Sequence, residues 1–136
     1  MNSAPSPDPV TIPPNRGPLA SVISRHNLAA RHALGQHFLL DPGITDRIVE
    51  LSAPLAGRHV VEVGPGPGGL TRSLLDSDAA SITAVEVDPR AVPVIEELVA
   101  EDPARLKLVR ADATTLDLTS PCPAPRRIVA NLPYNV

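Results

Sequence analysis

Residues 61–71 read VEVGPGPGGLT. A β-branched run, HVVEV (59–63), gives way there to four glycines in six positions, Gly64, Gly66, Gly68 and Gly69. Such a run favours a pleated strand, and glycine lets a backbone turn sharply because it has no Cβ. A tight strand-to-helix turn accounts for one or two of these glycines. Four point to a second need, a ligand lying directly against the loop and the helix start. Gly64, Gly66 and Gly69 also match G-x-G-x-x-G, a pattern that dinucleotide enzymes and methyltransferases share.

The pattern continues outward. Leu70, Leu74 and Leu75 share one face of a helix expected over 69–76. SITAVEVD (81–88) reads as a second strand, 90–100 as a helix with Pro93 in its first turn or at a kink, and LKLVRADA (106–113) as a third strand. RRIVANLPY (126–134) reads as a fourth, after a surface loop over 117–125 with three prolines. Upstream, Asp41-Pro42 predicts a helix start, followed by Ile44, Ile48 and Leu51 at helical spacing over 42–53. Strands alternating with helices predict an α/β fold on a parallel sheet. Without internal repeats, 136 residues allow one domain at most.

Composition narrows the class. The chain is 43% hydrophobic and 20% charged, which suits a globular protein. Aromatics are only 1%, so the core must be built of Val, Leu, Ile and Ala. Six of the 17 prolines fall in the first 18 residues, and residues 1–20 read as a disordered Pro-rich tail. The sequence shows no signal-peptide pattern and no apolar run long enough to span a membrane. A lone Cys122 has no disulfide or CxxC partner, so no metal site is expected and a reducing cytoplasm fits. A net charge of -3 does not advertise nucleic-acid binding, although residues 1–40 hold Arg16, Arg25, Arg31 and three histidines against Asp8 alone.

The acids behind the strands sharpen the ligand. Glu86 lies at the carboxyl end of the second strand, where a carboxylate can accept both hydroxyls of a ribose. Asp88, before Pro89, reads as a helix cap. Asp112, at the end of the third strand, either accepts from an adenine amino group or simply forms a turn. The set describes an adenosine-like ligand.

NLPY (131–134) supplies a reaction. An exocyclic adenine amine is a poor nucleophile because its lone pair is delocalised into the ring. Acceptors holding its hydrogens draw that pair towards an electrophilic methyl, and the Asn131 side-chain oxygen and the Leu132 carbonyl suit the task. Pro133 has no N–H to compete and stiffens the turn, while Tyr134 offers a stacking face for a flipped-out base. Catalysis would rest on positioning and electrostatics, with in-line transfer from a sulfonium. A plain strand-ending turn with Tyr134 in the core is the competing account.

LGQHFLLD (34–41), VEVGPGPGGLT (61–71), AVEVD (84–88), RADA (110–113) and NLPYN (131–135) together resemble the S-adenosylmethionine-dependent small-subunit ribosomal RNA adenine N6,N6-dimethyltransferases. The resemblance runs from His32 to Val136. It implies a Rossmann-like class I methyltransferase fold and S-adenosyl-L-methionine held by His37, Leu39, Gly64, Gly66, Glu86, Asp112 and Asn131. It also implies a catalytic tetrapeptide of Asn131, Leu132, Pro133 and Tyr134. The implied substrate is small-subunit ribosomal RNA in a pre-ribosomal particle, with two methyls placed on each of two adjacent adenines near the 3′ end. The implied setting is the cytoplasm, with no membrane partner and a monomeric enzyme.

Two features depart from the family pattern. His37 stands where the family more often has Asn, and an imidazole can replace one hydrogen bond of the amide. The family also has seven strands and a helical C-terminal domain. Residues 21–136 are therefore read as the N-terminal part of the methyltransferase domain, truncated after the fourth parallel strand, with the C-terminal domain absent. A 3-2-1-4 strand order would leave the fourth strand as an exposed edge. Three alternatives stand beside this reading: a large-subunit methyltransferase of the antibiotic-resistance type, an NAD-binding dehydrogenase, and a non-catalytic RNA-binding assembly factor.

Overall fold

A computed structural model of the protein describes residues 17–25, 41–117 and 123–130. Strands β1 (His59–Val63), β2 (Ser81–Glu86), β3 (Leu106–Arg110) and β4 (Arg126–Ala130) form one parallel sheet in the order β3-β2-β1-β4. β1 sits at the centre, with Val61 opposite Thr83 of β2 and Ile128 of β4. This is the expected order, and among the described residues β4 lies at an edge.

Helices α1 (Leu19–Arg25), α2 (Pro42–Leu51), α3 (Gly69–Leu75) and α4 (Val92–Glu101) complete the described elements. Alternation along the strands divides the side chains between two faces. Val60, Ile82, Ala84 and Leu106 are buried with Leu70, Leu74, Ile95 and Leu98 of α3 and α4. Val61, Val63 and Val85 pack on the other face with Val109, Ala113 and Leu116.

Asp41 starts α2 as expected: its Oδ1 accepts from the Gly43 N–H at 2.8 Å, with Pro42 in the first turn. Pro93 likewise falls in the first turn of α4, where its missing N–H costs nothing. Arg105 closes the far end of α3. Its guanidinium donates to the carbonyls of Leu75 at 2.8 Å and of Ser77 and Ala79 at 2.9 Å.

Several expected boundaries are corrected. β2 stops at Glu86 rather than 88, because Asp88 opens a turn and Pro89 cannot continue the ladder. Asp88 therefore does not cap α4. Its Oδ1 accepts from the Arg90 N–H at 2.9 Å, and the cap position is Ala91, without a side-chain bond. β3 stops at Arg110, leaving Asp112 in the turn that follows. The expected tail ended at residue 20, yet Leu19 and Ala20 already belong to α1. Burial of Leu19 and Val22 against Val94 of α4 explains this helix. The 131–134 part of the expected fourth strand lies outside the described residues.

Candidate functional site

The glycine loop leaves β1 at the carboxyl edge of the sheet. Gly64, Gly66 and Gly68 have φ of 71°, 53° and 90°, a region that side chains with a Cβ rarely enter. The Gly64 N–H still donates to the Val85 carbonyl at 2.9 Å, so the loop departs from a fixed point on the sheet. A Cβ on Gly66 would meet nothing within 4 Å, whereas one on Gly68 would lie 2.9 Å from Leu98 Cδ1 of α4. Gly66 thus borders open space, and Gly68 permits close packing of α3 on α4.

Glu86 closes β2 on the same edge and is only 7% exposed. Burial, with the nearby charge of Asp88, pushes its carboxyl up to about 7 against the opposing Asp88 backbone N–H. Beside it is a cavity of about 370 Å³ lined by Glu86, Val87, Pro89, Val92, Pro93 and Arg110. Val87 is 69% exposed there, an apolar surface suited to a planar base. Arg110 pairs with Glu96 of α4 at the cavity wall. A larger cavity of about 650 Å³ follows the outer side of β3, around Arg105 and Lys107. Among the described residues no glycine-loop residue lines either cavity, but only the smaller one holds Glu86, and it is the better site because open α/β sheets bind ligands at the carboxyl ends of their strands.

Asp112 lies on this edge too, just past the point where the Ala111 N–H donates to the Glu86 carbonyl. Its Oδ1 accepts from the Thr114 N–H at 2.9 Å and the Thr114 hydroxyl at 2.7 Å, which hold the carboxyl below its usual range. Of the two roles weighed for it from sequence, the structure shows the turn: Oδ1 holds the Thr114 N–H and hydroxyl.

The structure places Gly64, Gly66, Glu86 and Asp112 at the same carboxyl edge of the sheet, and of these Glu86 alone lines the smaller cavity. His37, Leu39, Asn131, Leu132, Pro133 and Tyr134 lie outside the described residues.

Sequence reasoning passed over Glu62. It sits in the middle of β1, 1% exposed, and accepts from the Thr71 hydroxyl of α3 at 2.5 Å. Burial, opposed by that bond and reinforced by the charge of Glu86, pushes it up to about 7. Glu62 pairs with Ala84, two residues before Glu86, so both carboxyls share one face. The signal was present in HVVEV: an acid inside a β-branched run is hidden when both sheet faces are covered.

These residues fit S-adenosylmethionine. The glycine loop offers bare backbone, Glu86 a shielded acceptor for ribose hydroxyls, and Val87 an apolar face for adenine. Among the described residues no helix is long and apolar enough to cross a membrane.

The family model described as ribosomal RNA adenine dimethylase matches residues 27–136. The ribosomal RNA small subunit methyltransferase A of Gluconobacter oxydans (strain 621H) is 53% identical over 133 residues, spanning 92% of this chain and 44% of that protein. Its counterpart in Jannaschia sp. (strain CCS1) is 56% identical over 119 residues, spanning 88% and 41%. The chain thus spans less than half the length of these curated relatives. Among solved structures, the 23S rRNA methyltransferase ErmE aligns at TM-score 0.59 and 35% identity, over 69% of this chain and 36% of that one. A dimethyladenosine transferase from Plasmodium falciparum aligns at TM-score 0.57 and 28% identity, over 70% and 33%. The parallel sheet is that of the Rossmann-like methyltransferases.

Proposed function

The chain belongs to the ribosomal RNA adenine dimethylase family, and on that premise we propose that the whole protein is a small-subunit rRNA adenine N6,N6-dimethyltransferase. Its substrates would be two adjacent adenines near the 3′ end of that RNA in a pre-ribosomal particle. It would act in the cytoplasm as a monomer. S-adenosyl-L-methionine supplies the electrophilic methyl.

The observation that carries the cofactor reading is Glu86, a buried carboxylate at the end of β2 beside three glycines of positive φ. Glu86 accepts the ribose hydroxyls, and a shielded acceptor gains more from such bonds than an exposed one. Gly64 and Gly66 admit the methionine part against the backbone. Asp112 is assigned the adenine amino group, and His37 and Leu39 complete the cofactor contacts.

Asn131 and the Leu132 carbonyl hold the hydrogens of the target amine and turn its lone pair to the methyl. Pro133 fixes the turn and Tyr134 stacks on the base. The reaction needs no obligatory general base, only orientation and removal of water. The small-subunit substrate is favoured over the large-subunit one because the small-subunit relatives reach 53% and 56% identity against 35% for ErmE. A dehydrogenase would account for Gly64 and Glu86 but gives NLPY no task.

The test is methyl transfer from labelled S-adenosylmethionine to unmethylated small ribosomal subunits, with the full-length protein and its Asn131→Ala variant. Dimethyladenine at two adjacent positions, lost in the variant, is expected. Transfer to large-subunit RNA alone would move the protein to the antibiotic-resistance type. No transfer would favour the assembly-factor reading.

A further inference from the structure

Three consecutive residues in the first two turns of α3 tie that helix to three different elements. The Thr71 hydroxyl donates to Glu62 in β1. Ser73 and Thr45 of α2 share a buried hydroxyl–hydroxyl bond of 2.7 Å. Between them, Arg72 Nη1 donates to the Gly17 carbonyl at 2.9 Å, just before α1 begins.

α1 also grips α4. Leu19 and Val22 are buried with Val94, and Arg25 Nη2 donates to Glu97 at 3.1 Å. That ion pair is exposed and contributes little; the Arg72–Gly17 bond is exposed too, so the apolar contacts carry most of the attachment and Arg72 fixes where the start of α1 sits. α3 starts at the glycine loop, and α4 follows the strand that ends in Glu86. These two helices also touch at Gly68, where a Cβ would fall 2.9 Å from Leu98 Cδ1 and 3.4 Å from Ile95 Cδ1. A close contact at the loop therefore limits how near the helices can come, and α1 joins them by a separate attachment. Site residues need such support, since small displacements cost binding.

We propose that α1 is a brace for the cofactor site, and that Arg72 is a positioning residue holding the glycine loop at the separation from Glu86 that the cofactor requires. The inference rests on the reading of this site as one for S-adenosylmethionine. It concerns residues that would not touch the cofactor themselves.

Hydrogen exchange on the full chain, compared among wild type, Arg72→Met and Arg72→Lys, tests the brace without any ligand. The reporting amides are Gly68, bonded to the Pro65 carbonyl, and Asp76, bonded to the Arg72 carbonyl. In Arg72→Met both should exchange about tenfold faster while the paired amides of β1 and β2 stay unchanged. Arg72→Lys, which keeps a donor, should remain within about twofold of wild type. Unchanged exchange at Gly68 and Asp76 would overturn the brace. So would equal acceleration in the strands, which would give Arg72 a purely global role.

Calorimetric titration with S-adenosylmethionine, at a temperature where all three proteins are folded, tests the link to the site. Arg72→Met should bind about tenfold more weakly, and equal affinity would overturn the positioning role. A wild-type chain that does not bind would overturn the cofactor reading instead. The exchange result would still decide whether α1 braces the loop.

Discussion

Gly66 and Gly68 separate folding from binding at the scale of single residues. Both have positive φ, so alanine strains the backbone at either position. At Gly68 the new methyl would also meet Leu98, and Gly68→Ala should lower stability by about 2 kcal/mol in urea denaturation. At Gly66 the methyl enters open space. Gly66→Ala should cost only about 1 kcal/mol of stability but should abolish S-adenosylmethionine binding, read by calorimetry. Equal binding by Gly66→Ala and wild type would remove that space from the cofactor site. The pH dependence is shared by Glu86, whose carboxyl is also pushed up to about 7, and the more deeply buried Glu62. The Glu62 carboxyl lies near 7 in the fold and near 4.5 when unfolded, so below pH 4.5 it is protonated in both states. As pH rises from 4.5 to 7 the unfolded chain ionises first, and the folded state loses about 3 kcal/mol from this group. Urea titrations at pH 5.5 and 8 should therefore show lower stability at pH 8, and Glu62→Gln should shrink the difference. At this scale the glycines and Glu86 were legible because their chemistry shows in local spacing. Glu62 was not, because its burial depends on coverage from both sides of the sheet. Asp112 stayed divided between two roles because a turn and a ligand contact ask the same of an aspartate.

Elements declare themselves when their own pattern is strong and their ends carry punctuation. The α2 start at Asp41-Pro42 and the cores of all four strands could be read directly. Strand ends were set too late where Asp88-Pro89 and Asp112 turn the chain away, because turn chemistry outweighs the apolar run. α1 was missed for a different reason. LASVISR places Leu19, Val22 and Ile23 at helical spacing, but seven residues after a proline-rich stretch are too few to stand alone. Burial against Val94, with the Arg72 bond to Gly17 just ahead of it, holds that helix in place. Arg105 shows the same dependence on tertiary contact, since nothing in its neighbourhood foretells a guanidinium among three carbonyls at the end of α3. Arg105→Met should cost about 2 to 3 kcal/mol in urea denaturation, because part-buried acceptors lose charged donors. Arg110→Met, removing an exposed pair with Glu96, should cost about 0.5 kcal/mol or less. Similar losses in the two variants would mean that the carbonyl cluster is well hydrated.

For the whole molecule, the order β3-β2-β1-β4 leaves β4 with a partner on one side only among the described residues. That edge was anticipated from the strand order, and its consequence is a matter of surface chemistry. Ile128 in β4 is 56% exposed, and an unpaired strand bearing an exposed branched side chain invites pairing with another copy. Charge does little to oppose it, since the net charge is only -3. The basic residues of β4 do not settle the matter either: Arg126 and Arg127 stand at its start, whereas Ile128 stands at its centre. The 136-residue chain should therefore associate as its concentration rises, seen as a growing weight-average mass in sedimentation or light scattering. Ile128→Lys should hold it closer to monomeric, because a lysine on an edge strand costs little alone and resists a second strand. The same substitution should leave S-adenosylmethionine binding intact, as Ile128 lines neither the Glu86 cavity nor the glycine loop. If Ile128→Lys associates as strongly as wild type, the contact lies elsewhere, and the larger cavity beside β3 becomes the next surface to alter. If the wild-type chain stays monomeric at every concentration, the β4 edge is protected, and its exposed isoleucine is a surface side chain without consequence.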